Sequence, residues 1–255
     1  MPLARVTTGI PGLDDITGGG LLKGRTYILS GTQGSGKTIL GLQYLYEGAR
    51  RGEPGILIAA EQSPAQVREE ASVFGWNLKA LEEQRKLVLV DASSSRAGAP
   101  TAEKAVLSDP YDFEQLIDVL IGLQEEFKTG RAVIDSITAL TYNIRDTAQQ
   151  RNALHKLNQA LKILELTTLM TAEGNRPMTR GTGDEHFHLQ GHPGPEAFIT
   201  DGHMVLYHRR ILDSRIHSVE VLKMRGSDHS HKVHPFSIGK SGITINTAEG
   251  VYGEF

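Results

Sequence analysis

The stretch that decides the fold is Thr26-Tyr27-Ile28-Leu29-Ser30-Gly31-Thr32-Gln33-Gly34-Ser35-Gly36-Lys37-Thr38. Its first five residues form a short apolar run bounded by glycine, which predicts a buried strand. The remainder fits the pattern G-x-x-x-x-G-K-[ST]. Apolar residues with helical spacing then follow, at Ile39, Leu42, Tyr46 and Ala49. The sequence therefore predicts a strand that passes through a glycine-rich turn directly into a helix.

This strand–turn–helix pattern is typical of a phosphate-binding loop. Residues without a Cβ let successive backbone N–H groups converge on one anion, and the helix N-terminus adds its partial positive charge. We expect Lys37 to reach the β- and γ-phosphates of a nucleotide and the Thr38 hydroxyl to bind Mg²⁺. The predicted nucleotide-binding residues are Gly31, Thr32, Gln33, Gly34, Ser35, Gly36, Lys37 and Thr38.

Composition excludes several other classes of protein. The 255 residues carry a formal net charge of −3 and no cysteine, so a disulfide framework, a thiolate nucleophile and a Cys-ligated zinc site are all ruled out. The charge argues against a uniformly basic nucleic-acid-binding coat. No apolar run approaches the ~20 residues of a membrane helix, and the first residues lack the apolar core of a signal peptide. We therefore expect a cytoplasmic protein without a membrane segment.

Downstream of the loop, strands alternate with helices. Helix start signals stand at Ser63-Pro64, Asp109-Pro110 and Asp146, and the polar segment 93–104 is predicted to be a loop. Further strands are predicted at Ile56–Ala60, Leu87–Asp91, Arg131–Asp135 and Thr167–Thr171. Such alternation predicts an α/β fold whose mostly parallel central sheet is flanked by helices.

The pattern changes after residue 195, where four strand-like segments follow without helical periods between them. They predict a C-terminal antiparallel extension at the sheet edge, with strands at 198–207, 216–223, 233–238 and 243–245. Because no linker, repeat or charge block divides the chain, we expect residues 1–255 to form a single domain.

Two acidic residues stand at predicted strand ends, where ligands of parallel sheets gather. Asp135 ends one strand and is the expected second group for Mg²⁺, although an incidental strand-end acid is the alternative. Glu61 follows another strand and is a candidate for polarising an attacking water. Its alternative role is that of a solvated acid or a helix-dipole partner at the start of the next helix.

Several further motifs carry a resemblance. Together with the phosphate loop they are Arg5-Val6-Thr7-Thr8-Gly9-Ile10-Pro11-Gly12-Leu13-Asp14, Gly18-Gly19-Gly20-Leu21, Glu61-Gln62-Ser63-Pro64, Phe74-Gly75-Trp76, Ile134-Asp135-Ser136-Ile137-Thr138-Ala139, Lys223-Met224-Arg225-Gly226 and His234-Pro235-Phe236. The chain resembles, in order and over almost its whole length, the KaiC-type branch of the RecA ATPases. This resemblance implies a RecA-like phosphate-loop NTPase fold.

The resemblance also implies a self-assembling protein, a hexameric ring with ATP held between neighbouring subunits. Glu61 matches the family's catalytic glutamate, while Lys223 and Arg225 match basic residues that reach the neighbour's nucleotide, Arg225 as an arginine finger. Ser227 and His229 lie where the same loop approaches that nucleotide. Without the resemblance, Lys223 and Arg225 would be interpreted as a solvated basic pair at a strand end.

The chain departs from the family pattern at two places. Members often carry two glutamates after the second strand, but here Gln62 follows Glu61, which puts fast or regulated hydrolysis in question. The residues before Ile199-Thr200-Asp201 are Ala197-Phe198, where the two-domain clock protein of this family has adjacent Ser-Thr phosphorylation sites. We therefore expect no autokinase activity at this position.

The glycine-rich segment 174–196 contains two further features. The segment contains His186, His188 and His192, and histidine side chains can bind zinc or copper. The segment is better interpreted as a loop that would hold a metal ion poorly. Arg176 and Arg180 leave contact with single-stranded DNA open. The segment lacks the interleaved basic and aromatic residues of a base-stacking surface, so the sequence does not support DNA binding.

Taken together, these features predict an ATP-binding, Mg²⁺-dependent ATPase with catalytic candidates Lys37, Glu61, Asp135, Lys223 and Arg225. Thr38 and Asp135 are the metal-binding candidates. Two alternatives remain: a nucleotide-gated assembly or signalling module with little turnover and an unknown protein partner, and a RecA-type accessory to DNA recombination.

Overall fold

The computed structural model of the protein describes residues 3–174, 197, 199–211 and 213–248. Its strands are β1 (Arg5–Val6), β2 (Leu21–Leu22), β3 (Thr26–Gly31), β4 (Gly55–Ala59), β5 (Leu87–Asp91), β6 (Ala105–Val106), β7 (Arg131–Asp135), β8 (Thr167–Glu173), β9 (Gly202–Ile211), β10 (Ser214–Met224), β11 (His234–Gly239) and β12 (Gly242–Ile245). Its helices are α1 (Leu13–Ile16), α2 (Lys37–Arg50), α3 (Pro64–Val73), α4 (Leu78–Glu83), α5 (Ser93–Ala97), α6 (Phe113–Phe127), α7 (Ile137–Thr141) and α8 (Thr147–Ile163).

Ten of these strands form one sheet in the order β12-β11-β10-β9-β3-β8-β7-β4-β5-β6. From β9 to β6 neighbouring strands pair in parallel, whereas β10, β11 and β12 continue the sheet in antiparallel fashion. The predicted parallel sheet with a C-terminal antiparallel extension is therefore confirmed. The short strands β1 and β2 form a separate antiparallel pair that the sequence pattern does not predict.

Apolar clusters cover both faces of the sheet. Alternate residues of the central strands, such as Ile28 and Leu29 or Ile56 and Leu57, are buried on opposite sides. Leucines of α2 and α4 pack on one face, and those of α6 and α8 pack on the other. Because both faces are covered, the central strands are apolar throughout, as expected for parallel sheets.

Three boundaries predicted from the sequence are wrong. The strand expected at 198–207 is β9, which begins only at Gly202 and runs to Ile211. The helix expected at Asp109-Pro110 begins at Phe113, because the Asp112 carboxylate caps it by accepting the N–H groups of Glu114 and Gln115 at 2.9 and 3.1 Å. The predicted loop 93–104 begins with the short helix α5. Here the buried Asp91 carboxylate accepts the N–H groups of Ser93 and Ser94, both at 3.0 Å, and so orients the first turn.

The half-buried His203 lies inside the sheet next to the strand that carries the phosphate loop. One of its ring nitrogens, Nε2, lies 2.7 Å from Ser30 Oγ on β3. Burial lowers the pKa of His203 to about 4, and the nearby Lys223 ammonium acts in the same direction. In the unfolded chain this histidine binds a proton near pH 6.5. The folded state is therefore destabilised as the pH falls from 6.5 towards 4.

Between pH 7.5 and pH 5, we expect His203 alone to lower the free energy of unfolding of the wild-type chain by about 2 kcal/mol. His203→Asn keeps a polar side chain beside Ser30 but removes this protonation. Urea unfolding at the two pH values measures the difference. The account of His203 is contradicted if both chains lose the same stability on acidification.

Candidate functional site

The predicted site residues meet at the edge of the sheet where the parallel strands β3, β8, β7 and β4 end. Cross-strand pairing places Gly31 beside Glu173 and Ala59 beside Asp135. Since Ala59 is followed by Ala60 and Glu61, the phosphate loop, Asp135 and Glu61 share this edge. The topology therefore brings together residues that are separated by about a hundred positions in the chain.

Glycine conformation shapes the phosphate loop. Gly34 and Gly36 have positive φ angles of 76° and 97°, and Gly36 is the N-cap of α2. These angles are costly for residues that carry a Cβ. The loop therefore turns the chain from β3 into α2 so that the helix starts at Lys37, with its first N–H groups facing the loop.

Lys37 is held over this loop by the loop's own backbone. Its ammonium donates to the carbonyl oxygens of Gly31 at 2.9 Å and Thr32 at 3.1 Å. Burial lowers the pKa of Lys37, while the carboxylates of Glu61, Asp135 and Glu173 act in the opposite direction. The charge of this ammonium is therefore favoured by three carboxylates at the point where a phosphate chain would add negative charge.

Thr38 and Asp135 are in direct contact. The Thr38 hydroxyl donates to Asp135 Oδ2 at 2.8 Å, and the Thr171 hydroxyl donates to Asp135 Oδ1. Asp135 is 8% exposed, and burial raises its pKa, whereas its two hydroxyl donors and Lys37 lower it. A hydroxyl and a carboxylate are hard oxygen ligands of the kind that Mg²⁺ takes beside nucleotide phosphates. This pair therefore fits the metal predicted from the sequence.

Glu61 is exposed at the same edge, and its carboxylate accepts a hydrogen bond from the Ser136 hydroxyl. Its backbone N–H donates to the Asp135 carbonyl oxygen at 3.3 Å. The next residue, Gln62, donates from its side-chain amide to Glu70 of α3 at 2.6 Å. The side chain that replaces a second glutamate thus binds the helix that follows, not Glu61.

Arg225 lies near the opposite ends of the parallel strands, and Lys223 lies on β10 between the two ends. Lys223 pairs with His203, which pairs with Ile28, and the Arg225 N–H donates to the Asp201 carbonyl oxygen at 2.8 Å. Asp201 in turn donates to Thr26 at the start of β3. Arg225 is therefore about 16 Å along the strands from Gly31 and two strands away sideways. Arg225 therefore cannot serve the phosphate loop of its own chain. Lys223 is about 10 Å along the strands from Gly31, and its ammonium is directed away from the loop.

The two basic side chains differ in their contacts. The Lys223 ammonium donates to the carbonyl oxygens of Ala197 at 3.1 Å and Thr200 at 2.6 Å. Burial lowers the pKa of Lys223, and the neighbouring Arg225 does the same. Arg225 is exposed, and its guanidinium has no hydrogen bond or ion pair within the described residues.

Ser227 and His229 belong to the loop between β10 and β11, which packs against the N-terminal segment. The Ser227 hydroxyl accepts a hydrogen bond from the Arg5 guanidinium at 2.7 Å. The His229 N–H donates to the Asp228 carboxylate at 3.0 Å, and its ring lies 4.8 Å from that of His231. The loop is thus anchored on its own chain, and the structure does not bring Ser227 and His229 to the phosphate loop.

Sequence reasoning missed four residues that touch the site. Thr171 and Glu173 end the neighbouring strand β8, so the rule that ligands gather at strand ends could have identified them. Ser136 directly follows Asp135 and was visible in the same motif. Arg96 donates to the Ala60 carbonyl oxygen at 2.6 Å from a segment that was predicted to be a loop, and no sequence signal indicates this contact.

The histidines His186, His188 and His192 and the arginines Arg176 and Arg180 lie outside the described residues. Within the described ranges, no group of three His, Asp or Glu side chains is arranged to hold a metal ion. No helix in this part of the chain combines the length and apolar character needed to cross a membrane.

Comparison with known proteins gives consistent matches. A family model described as "ATPase: KaiC" matches residues 6–250. A UPF0273 protein of Thermotoga maritima is 36% identical over 252 residues, which cover 98% of this chain and 99% of that protein. A crystal structure of a KaiC-like protein from Pyrococcus horikoshii is 30% identical, with a TM-score of 0.78, and the match covers 96% of this chain and all of the other. This neighbour confirms the predicted fold class.

Clock proteins are among the relatives too, but the chain matches only part of them. The circadian clock protein KaiC3 of Synechocystis is 34% identical over 244 residues, which cover 95% of this chain and 46% of that protein. The chain therefore spans about half the length of the curated clock proteins that it matches.

Proposed function

This chain belongs to the KaiC ATPase family, and we propose that it is a Mg²⁺-dependent ATP hydrolase. It acts as a ring oligomer, a hexamer, with each active site formed between two subunits. One observation carries this proposal. The groups suited to bind phosphate, metal and water meet at one edge of the sheet, whereas Arg225 stands exposed at the opposite edge. A ring of subunits placed head to tail would bring these two edges together.

The first half of the proposed site is the phosphate-loop edge. The loop N–H groups and the start of α2 bind the phosphates, and Lys37 neutralises the β- and γ-phosphate oxygens. Thr38 and Asp135 would hold Mg²⁺, which when bound supplies positive charge for the phosphate oxygens. Glu61 orients the attacking water and accepts its proton, and the hydrogen bond from Ser136 fixes the direction of the carboxylate.

The second half is supplied by the neighbouring subunit. Arg225 is assigned the role of an arginine finger, which stabilises charge on the transferred phosphoryl group. Lys223 must release two backbone carbonyl groups before it can contact another chain, so we assign it a smaller contribution. Ser227 and His229 complete the nucleotide contacts of this loop. Ala197 has no hydroxyl group that could be phosphorylated, so we propose no autokinase activity at this position.

Two measurements on one sample test the proposal. The mass of the protein in solution is determined with and without Mg-ATP, and phosphate release is followed under the same conditions. We expect an oligomer and steady phosphate release that stops when the metal is removed with a chelator. A monomer that hydrolyses ATP at the same rate per chain would contradict the shared site, and a stable oligomer without any release would contradict the hydrolase.

Glu61→Gln is expected to lower kcat by about 10²–10⁴-fold, because the amide cannot accept the proton of the attacking water. The apparent affinity for ATP should not fall, since Glu61 makes no hydrogen bond to the loop or to Thr38 and the change removes a carboxylate near Lys37. Glu83→Gln, at an exposed carboxylate of α4, is the matched control. Wild-type turnover in Glu61→Gln would remove this residue from the mechanism.

A second candidate function is a nucleotide-gated assembly module with little turnover and a protein partner. The observation that favours it is the hydrogen bond that Gln62 donates to Glu70. Of the two residues Glu61 and Gln62, only Glu61 then offers a carboxylate to an attacking water. Sizing with ADP and with a non-hydrolysable ATP analogue distinguishes the two functions. Different assemblies in the two states, combined with negligible turnover, support the module; identical assemblies exclude it.

A further inference from the structure

The peptide group between Ala60 and Glu61 is held at both of its ends. Its carbonyl oxygen accepts a hydrogen bond from the Arg96 guanidinium at 2.6 Å. Its N–H, on Glu61, donates to the carbonyl oxygen of Asp135 at 3.3 Å. Because β4 ends at Ala59, the strand ladder no longer fixes this peptide plane. Two side-on contacts, one from the β5 side and one from β7, fix it instead.

The orientation of this peptide decides where Glu61 points. A rotation of the Ala60–Glu61 plane would move the Glu61 Cα–Cβ bond and break the hydrogen bond from Ser136 to the carboxylate. A displacement of about 1 Å at a reacting group can cost on the order of a hundredfold in rate. A residue that fixes the plane therefore affects catalysis without touching the substrate.

Arg96 is well placed to exert this constraint because its helix is itself anchored. The hydroxyls and N–H groups of Ser93 and Ser94 all donate to the buried Asp91 carboxylate. The Ser95 hydroxyl donates to the Leu107 carbonyl oxygen. Three consecutive serines thus tie α5 to the end of β5 and to the segment after β6, and the next residue carries the guanidinium.

We propose that Arg96 is a positioning residue for hydrolysis, which orients Glu61 through the carbonyl group of Ala60. This inference rests on the proposed function, in which Glu61 activates water. Arg96 would then act on turnover and leave nucleotide binding to the phosphate loop, because none of its contacts in the structure involves the loop, Lys37 or Thr38.

The test compares Arg96→Met, which removes every donor, with Arg96→Lys, which retains one charged donor. Arg51→Met, at the exposed C-cap of α2, is the control. We expect kcat to fall by about 10–100-fold in Arg96→Met, with KM within about twofold of the wild type. Arg96→Lys should recover part of the loss. In a Glu61→Gln background, Arg96→Met should cause no further decrease, because the two residues act through one step.

Each outcome decides the matter. Normal kcat in Arg96→Met beside an impaired Glu61→Gln overturns the role of Arg96 and leaves the proposed function standing. Losses that multiply in the double variant overturn it as well, since they show independent action. If Arg96→Met does not fold by circular dichroism, Arg96→Lys and Arg96→Gln decide, with kcat expected to fall in the order Arg, Lys, Gln. Absence of phosphate release from the wild type contradicts the proposed function, and this inference with it.

Discussion

Replacement of Lys37 by alanine is expected to reduce phosphate release by about 10²–10³-fold or more, because one preorganised charge on the transferred phosphoryl group contributes that much. The ammonium lies between the loop carbonyls of Gly31 and Thr32 and faces the carboxylates of Glu61, Asp135 and Glu173. Without it, the carboxylates of Glu61, Asp135 and Glu173 remain near the phosphates with no cation from the same chain. Nucleotide affinity should therefore fall together with turnover.

Phosphate release and binding of a fluorescent ATP analogue measure the two effects of Lys37→Ala. Lys79→Ala, at an exposed lysine of α4, removes the same positive charge as Lys37→Ala and serves as the control. Turnover in Lys37→Ala equal to that of the control would show that the glycine-rich loop does not bind the reacting phosphates.

The second large effect is expected for Arg225→Ala, which should lose about 10³-fold or more in kcat while it still assembles and binds nucleotide. The guanidinium is exposed and has no partner within the described residues, so its removal breaks no intrachain contact there. Because Arg225 lies far from its own phosphate loop, the loss must arise at the site of another subunit.

Lys232→Ala, an exposed change in the same loop, is the control for Arg225→Ala, and sizing confirms that the variants assemble. Lys223→Ala should have a smaller effect on kcat than Arg225→Ala, since its ammonium is already bound to Ala197 and Thr200. An assembled Arg225→Ala protein with wild-type turnover would refute the arginine-finger role.

Sequence periodicity predicted the fold well because the elements that matter are locally specified. The run before Gly31 is apolar and short, and the Ser63 capping box with Gln66 marks the start of α3 in both sequence and structure. The start signal at Asp109-Pro110 lies before the helix because Asp109 makes its own turn by accepting the Tyr111 N–H, while Asp112 provides the true cap. Local side-chain hydrogen bonds decided both cases.

The candidate site was only partly accessible from the sequence. Asp135 and Thr38 were predicted to act on one metal, and the structure places them in contact although they are separated by 97 positions. No sequence pattern identifies Arg96, because its partner Ala60 lies 36 positions away and offers a backbone carbonyl group that any residue could provide. Contacts of a side chain to a distant backbone leave no pattern in residue types.

The N-terminal motif also acquires a structural role that its residues do not reveal. The Arg5 guanidinium donates to the carbonyl oxygens of Thr17 and Gly20 and to the Ser227 hydroxyl, and the Ser230 N–H donates to the carbonyl oxygen of Ile16. This segment thus supports the loop that carries Arg225.

The shared active site is tested most directly by mixing two inactive proteins. Lys37→Ala lacks the phosphate-loop lysine but keeps Arg225, and Arg225→Ala has the converse defect. In mixed rings of equal amounts, about one interface in four combines an intact loop with an intact arginine from the neighbour. The account predicts that mixing restores phosphate release to about a quarter of the wild-type rate. Mixed oligomers of confirmed composition that stay inactive would contradict it.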